Sequence, residues 1–215
     1  MDDGSDILSV RKFIQSLNDY LDFCRRLEEN GSRIEKRTAS SEEIQLCAGL
    51  TARILAPSEM KADRLTAEMK KLYEEPKSGS FGHDILRLDT GMNNHSLVLM
   101  LQFGKTKVLL PGDTNAGGFQ DIPGDIRADI FKIGHHGQKD AVSEELLERV
   151  SPAHIVCCAS SDRRYESADP GKMDLIRSRG IRLWFSDCPE GQEVPPHQEL
   201  KITADREGNI ECRYC

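Results

Sequence analysis

The sequence predicts a mixed α/β protein whose sheet is built from both hairpins and crossovers. Three observations carry that expectation. The stretch Asn93 to Asp113 reads as two apolar strands joined by a tight turn at Gly104-Lys105, and it delivers the carboxylate of Asp113 to the end of the second strand. About 20 residues later Asp129-Ile130-Phe131-Lys132-Ile133 forms another apolar strand that runs into Gly134-His135-His136-Gly137. From His154 onward strand and helix alternate, as crossover connections require.

Taken in order, the chain opens with an amphipathic helix over Asp6 to Asn30. Its apolar residues Val10, Phe13, Ile14, Leu17, Tyr20, Leu21 and Leu27 recur at three and four, and Gly31 supplies a stop. Ile44 to Cys47 and Leu50 to Leu55 read as short strands, the second closed by Pro57. A helix follows over Ser58 to Tyr73, with Leu65, Met69, Leu72 and Tyr73 as its stripe. Glu74 to Gly82 carries Pro, Gly and Ser without periodicity and reads as a surface loop, after which a first strand is expected from Ile85. The central hairpin comes next, then an irregular segment from Asn115 through Gly124.

Beyond the His pair, Ser143-Glu144-Glu145 has the form of a helix start, with acids in the first turn where the macrodipole favours them; Pro152 closes that helix. His154 to Ala159 is an apolar strand. Asp169-Pro170 and Gly180 bracket a helix with Met173 and Ile176 facing inward, and Ile181 to Phe185 is a strand. Leu200 to Ala204 and Ile210 to Tyr214 form a last hairpin around Glu207-Gly208.

Composition bounds the function. In 215 residues, no run approaches the roughly 20 apolar residues of a membrane span, and the acidic start Met1-Asp2-Asp3 lacks the basic character of a signal peptide. A cytoplasmic protein is therefore expected. The net charge of −7 argues against a broad basic face for nucleic acid while leaving room for a local basic groove. Seven cysteines, with Cys157 and Cys158 adjacent, do not make a disulfide framework and fit a reducing compartment.

Asp113 is the first candidate for chemistry. A carboxylate just past a buried strand can ligate a hard or borderline cation, although Gly-Asp-Thr-Asn is also ordinary turn material. His135 and His136 suit a metal as well, since imidazole is a common ligand and strand ends are where hydrolytic zinc sites are built. Adjacent residues send their side chains in different directions, so one of the pair at most belongs directly on a metal. His95 reads as structural or as support for the site, and His83 has no evident partner. Cys212 and Cys215, with Cys188 and His197, could make a structural zinc site, but buried strand thiols account for the tail equally well. Arg163, Arg164, Lys172 and Arg177 form a modest basic group that reads foremost as a solvated face.

Read together, Asn-Asn-x-Ser-Leu-Val-Leu, Leu-Leu-x-Gly-Asp, Ala-Asp-Ile-Phe-Lys-Ile-Gly-His-His-Gly, Ser-Glu-Glu-Leu-Leu, Val-x-Pro and Arg-Tyr before Asp-Pro resemble the metallo-β-lactamase superfamily. Within it, the likeness is to the C-terminal hydrolase domain of DNA-internalisation competence proteins. The resemblance implies an αββα sandwich holding one or two zinc or manganese ions at one edge, and hydrolysis of a phosphodiester in nucleic acid by metal-activated water. It matches Asp113 to the family's bridging carboxylate and His135 or His136 to its His-His-Gly turn.

The chain also departs from that pattern. The family's His-x-His-x-Asp-His motif occurs nowhere in the sequence, and where relatives place Tyr-Gly-His-Pro this chain has Tyr165-Glu166-Ser167-Ala168-Asp169-Pro170. Glu166 or Asp169 could substitute as oxygen ligands, although Asp169 suits a helix cap. The expectation is thus one partial domain over 1–215: a lead-in over 1–84, the region of close resemblance over 85–187, and a C-terminal hairpin over 188–215. Its metal site would be completed by a complementary polypeptide, another segment or a homodimer mate. The competing expectation is a non-catalytic interaction subunit that retains the fold.

Overall fold

The computed structural model describes residues 4–74, 80–159, 167–187 and 199–215. They fall into two compact units. The first comprises residues up to Thr38 together with Glu59–Met92; the second comprises Ala39–Ser58 with Asn93–Cys215.

The first unit is helical. Helix α1 runs Gly4–Glu29, α2 Glu59–Glu74 and α3 Phe81–Gly91. Phe13, Ile85 and Leu88 form its core, and Val10, Ile14, Leu17, Leu65, Leu72 and Phe81 pack around them. Val10, Phe13, Ile14 and Leu17 are part of the stripe expected for α1, whose Tyr20 and Leu21 are instead exposed, and Leu65 and Leu72 are part of that for α2. Tyr73 instead lies half in solvent and donates its hydroxyl to Asn18 Oδ1 at 3.1 Å. The strand expected from Ile85 is a correction: Ile85 and Leu88, three residues apart, lie on one buried face of α3. A short apolar run carries no decisive period, and burial against Phe13 settles it as helix.

The second unit is a mixed α/β structure around a seven-stranded sheet. Its strands are β1 (Ile44–Cys47), β2 (Leu50–Ala56), β3 (Val98–Phe103), β4 (Thr106–Leu110), β5 (Ile130–Lys132), β6 (His154–Cys157) and β7 (Arg182–Phe185). They lie in sequence order across the sheet. Pairing is antiparallel from β1 to β4 and parallel from β4 to β7. The central hairpin has the expected register, with Phe103 opposite Thr106 across the Gly104-Lys105 turn and Leu99 opposite Leu110.

One face of this sheet carries the core. Val98, Met100, Leu109, Phe131, Ile155 and Cys157 meet Leu146, Leu147 and Val150 of α4 (Glu144–Val150) and Met173 and Ile176 of α5 (Pro170–Ser178). Both helices start as their sequences predict. Ser143 accepts from Leu146 N–H and Asp169 from Lys172 N–H, and each cap contributes about 1 kcal/mol. The opposite face receives a separate antiparallel ribbon of β8 (Leu200–Ala204) and β9 (Ile210–Tyr214). Lys105 N–H donates to the Arg206 carbonyl at 3.0 Å, and Phe185 N–H donates to the Tyr214 hydroxyl at 3.1 Å, fastening that ribbon at both ends.

No helix among the described residues is long and apolar enough to cross a membrane.

Candidate functional site

The parallel pairing of β4 with β5 sets the C-terminal ends of these strands side by side. In open α/β sheets that edge is where ligands bind. Pro111-Gly112 turns the chain out of β4, with Gly112 at φ +59°; a Cβ there would lie 2.9 Å from Ser96 Cβ, so the close approach requires glycine. The turn is braced from the Asn93–Ser96 segment. Ser96 Oγ accepts from Asp113 N–H at 3.2 Å, and Asn94 Oδ1 accepts from Asn115 N–H at 3.3 Å. Asp113 is thereby held with its side chain 39% exposed, open to solutes.

Out of β5, Gly134 passes so close to the Asp113 turn that a Cβ on it would overlap the Thr114 carbonyl oxygen. His135 and His136 then take left-handed backbone conformations, φ 44° and 52°, which non-glycine residues adopt rarely and which concentrate at functional sites. The conformation is held from outside. His136 carbonyl accepts from Ala168 N–H at 3.1 Å and Gly137 carbonyl from Asp169 N–H at 2.8 Å.

The two imidazoles diverge, as adjacent side chains must. His136 Nε2 lies 3.6 Å from Asp113 Oδ1, while its Nδ1 meets the Cys158 carbonyl at 2.9 Å. A carbonyl only accepts, so Nδ1 carries a proton, and in the neutral ring the Nε2 lone pair faces the carboxylate side. His135 turns to Asp140, with Nδ1 2.8 Å from Oδ1. Lys132, the last residue of β5, donates from Nζ to the Gly112 carbonyl at 2.8 Å and stands 3.8 Å from Asp113 Oδ1. The structure therefore brings Asp113, His136 and Lys132 together, with His135 beside them on its own carboxylate.

The donor types of Asp113 and His136 suit zinc or manganese, but their number does not close a site. Among the described residues, no group of three or more His, Cys, Asp or Glu side chains is placed to hold a metal ion.

The remaining candidates separate from this edge. Asp169 is the cap of α5, its Oδ1 accepting from Lys172 N–H at 3.0 Å. His95 closes the short helical turn Met92–His95, and His83 is exposed on α3. Arg163, Arg164, Glu166, Cys188 and His197 lie outside the described residues. Cys212 faces inward from β9, with Sγ 3.4 Å from His154 Nδ1, whereas Cys215 is exposed. Strand alternation puts that pair on opposite faces, so Cys212 and Cys215 do not converge.

Sequence reasoning missed Asp140, Asn115 and the bracing role of Asn94 and Ser96. Asp140 lies only five residues beyond His135, and an acid at that distance past a His pair was the available signal. Ser96 and Asn94 carried none, because their role exists only through a contact between distant turns.

No family model matches the chain. It is 32% identical over 98 residues to the ComE operon protein 3 of Bacillus subtilis, a match covering 44% of this chain and 13% of that protein. It is 41% identical over 61 residues to Recombination protein 2 of Haemophilus influenzae, covering 28% of the chain and 8% of the relative. It is 26% identical over 99 residues to the competence protein ComA of Neisseria gonorrhoeae, covering 44% and 14%. The chain thus has competence-protein-like relatives and spans a small part of their length.

Proposed function

We propose that this chain is a metal-dependent hydrolase domain of metallo-β-lactamase type that acts on phosphodiester bonds in nucleic acid, with its metal site completed by another segment or polypeptide. The observation that carries this reading is the pairing of Asp113 with the open Nε2 of His136 at the C-terminal edge of β4 and β5, 3.6 Å apart. Each belongs to a sequence element of the resemblance, and the relatives named for competence and recombination support the same class of substrate.

The half-buried part of the sheet near Asp113 supports completion from outside. Strand register puts Leu99, Leu110, Lys132 and Val156 on the face opposite the helices, half-buried, toward the end that carries Asp113. The β8–β9 ribbon is fastened to that same face where it meets Lys105 and Thr106, at the other end of β4. An additional layer of strands over these half-buried residues would bury more apolar surface and bring donors to the site together.

The test is hydrolysis of a labelled oligonucleotide, with zinc or manganese, by the purified chain together with any polypeptide that co-purifies with it. Asp113→Ala should lower the rate by about a hundredfold or more, since it removes a group acting on the reacting atoms. Undiminished hydrolysis by that variant would overturn the reading.

A second reading, a non-catalytic interaction subunit, is favoured by Lys132, whose ammonium already faces Asp113. It predicts that zinc and manganese leave the melting temperature unchanged. A gain of many degrees would count against it.

A further inference from the structure

The His135–Asp140 contact is one link of a longer chain whose hydrogen positions can be worked out. Asn115 Oδ1 accepts from Gly118 N–H at 3.1 Å, so the Asn115 amide cannot turn round, and its Nδ2 faces Asp140 Oδ2 at 3.1 Å. Asp140 Oδ1 faces His135 Nδ1 at 2.8 Å, and the Asp140 main-chain carbonyl accepts from Ala116 N–H at 2.9 Å. An ionised carboxylate only accepts, so the hydrogen between Asp140 and His135 belongs to Nδ1. In the neutral ring the lone pair of His135 is then on Nε2, at the far edge of the ring.

We propose that Asn115 and Asp140 are positioning residues that fix the tautomer and heading of His135, keeping its Nε2 as the acceptor nitrogen. The bare alternative is that Asp140 merely stitches the turn after Asp113 to the His-His turn. Its main-chain bond to Ala116 does that already, whereas the two carboxylate oxygens are committed to an oriented amide and an imidazole. His136 reaches the same tautomer through the Cys158 carbonyl, so both rings present Nε2 by independent means. The consequence for catalysis rests on the hydrolase reading; the tautomer itself does not.

The fixed amide of Asn115 makes the proposal sharp. In Asp140→Asn the new side chain must give its oxygen to Asn115 Nδ2 and therefore turn its NH2 toward His135. Nδ1 then becomes an acceptor and the proton moves to Nε2. Adding Asn115→Asp reverses this. A carboxylate at position 115 can accept both from Gly118 N–H and from the new amide at position 140, which frees the oxygen of that amide for His135 Nδ1.

The experiment is imidazole nitrogen NMR on the full chain at mildly alkaline pH, with His135 assigned by comparison with His135→Gln. The expected pattern is Nδ1–H in the wild type, Nε2–H in Asp140→Asn, and Nδ1–H again in the double variant. In the hydrolysis assay Asp140→Asn should lower kcat by about 10- to 100-fold with KM nearly unchanged, and the double variant should recover most of the loss. A wild-type spectrum with the proton on Nε2 overturns the proposal, as does a double variant that keeps the inverted tautomer. If Asp140→Asn does not fold, the wild-type and double-variant spectra still decide. The expected spectra with no hydrolysis in any form would overturn the hydrolase reading and leave the tautomer assignment standing.

Discussion

Asp113, His135 and His136 are legible in the sequence because each follows an apolar strand, and strand ends converge whatever the detail of the fold. Which histidine approaches Asp113 is not legible. It depends on two left-handed residues in succession, and only the turn that holds them decides which ring swings toward β4. The same turn carries a prediction at single-residue scale. Gly134 has an ordinary backbone, so Gly134→Ala gains no strain in φ, yet its Cβ would overlap the Thr114 carbonyl. The two turns must separate to admit it. Chemical denaturation should show a loss of about 2 kcal/mol or more, and a loss under half that would mean the turns are not rigidly apposed.

Among the elements, those with strong punctuation were readable to within a residue or two: the Gly104-Lys105 turn, the two capped helices and the C-terminal ribbon. Helix α3 was not, since its identity rests on packing against Phe13 rather than on its own period. How the ribbon is held was also beyond the sequence. Trp184 Nε1–H donates to His154 Nδ1 at 3.2 Å, and Cys212 Sγ lies 3.4 Å from the same nitrogen. His154 is almost fully buried, and burial lowers its pKa; the Arg182 cation adds to this, and Asp129 opposes it. The unfolded chain therefore takes up this proton first, at about pH 6.5, while the folded chain resists it. Stability attributable to His154 is present above that pH and is lost as pH falls toward the folded value. Protonation would put a hydrogen on Nδ1 and leave the Trp184 indole N–H without its acceptor. Denaturation midpoints measured from pH 7 down to 5 should fall, and His154→Gln should flatten that part of the profile. An unchanged slope in the variant would assign the acid sensitivity elsewhere.

At the scale of the whole molecule, the mixed class followed from the order of strands and helices, whereas the single seven-stranded sheet did not. Periodicity reports which residues face inward and is silent on which strands are neighbours.

That sheet changes character at β4, antiparallel on one side and parallel on the other. The change has a kinetic consequence. The β3–β4 hairpin closes over two residues, but joining β4 to β5 closes a loop of roughly 20, and β5 to β6 a loop of similar length, each at a higher entropic cost. Refolding should accordingly protect the β3 and β4 amides before those of β5 and β6, as pulsed hydrogen exchange would detect; simultaneous protection would refute that order. Asp113 lies on the early side of the seam and both histidines on the late side. A partly folded chain would then hold the carboxylate without its imidazole, and the site would come into being only with the last strands to dock.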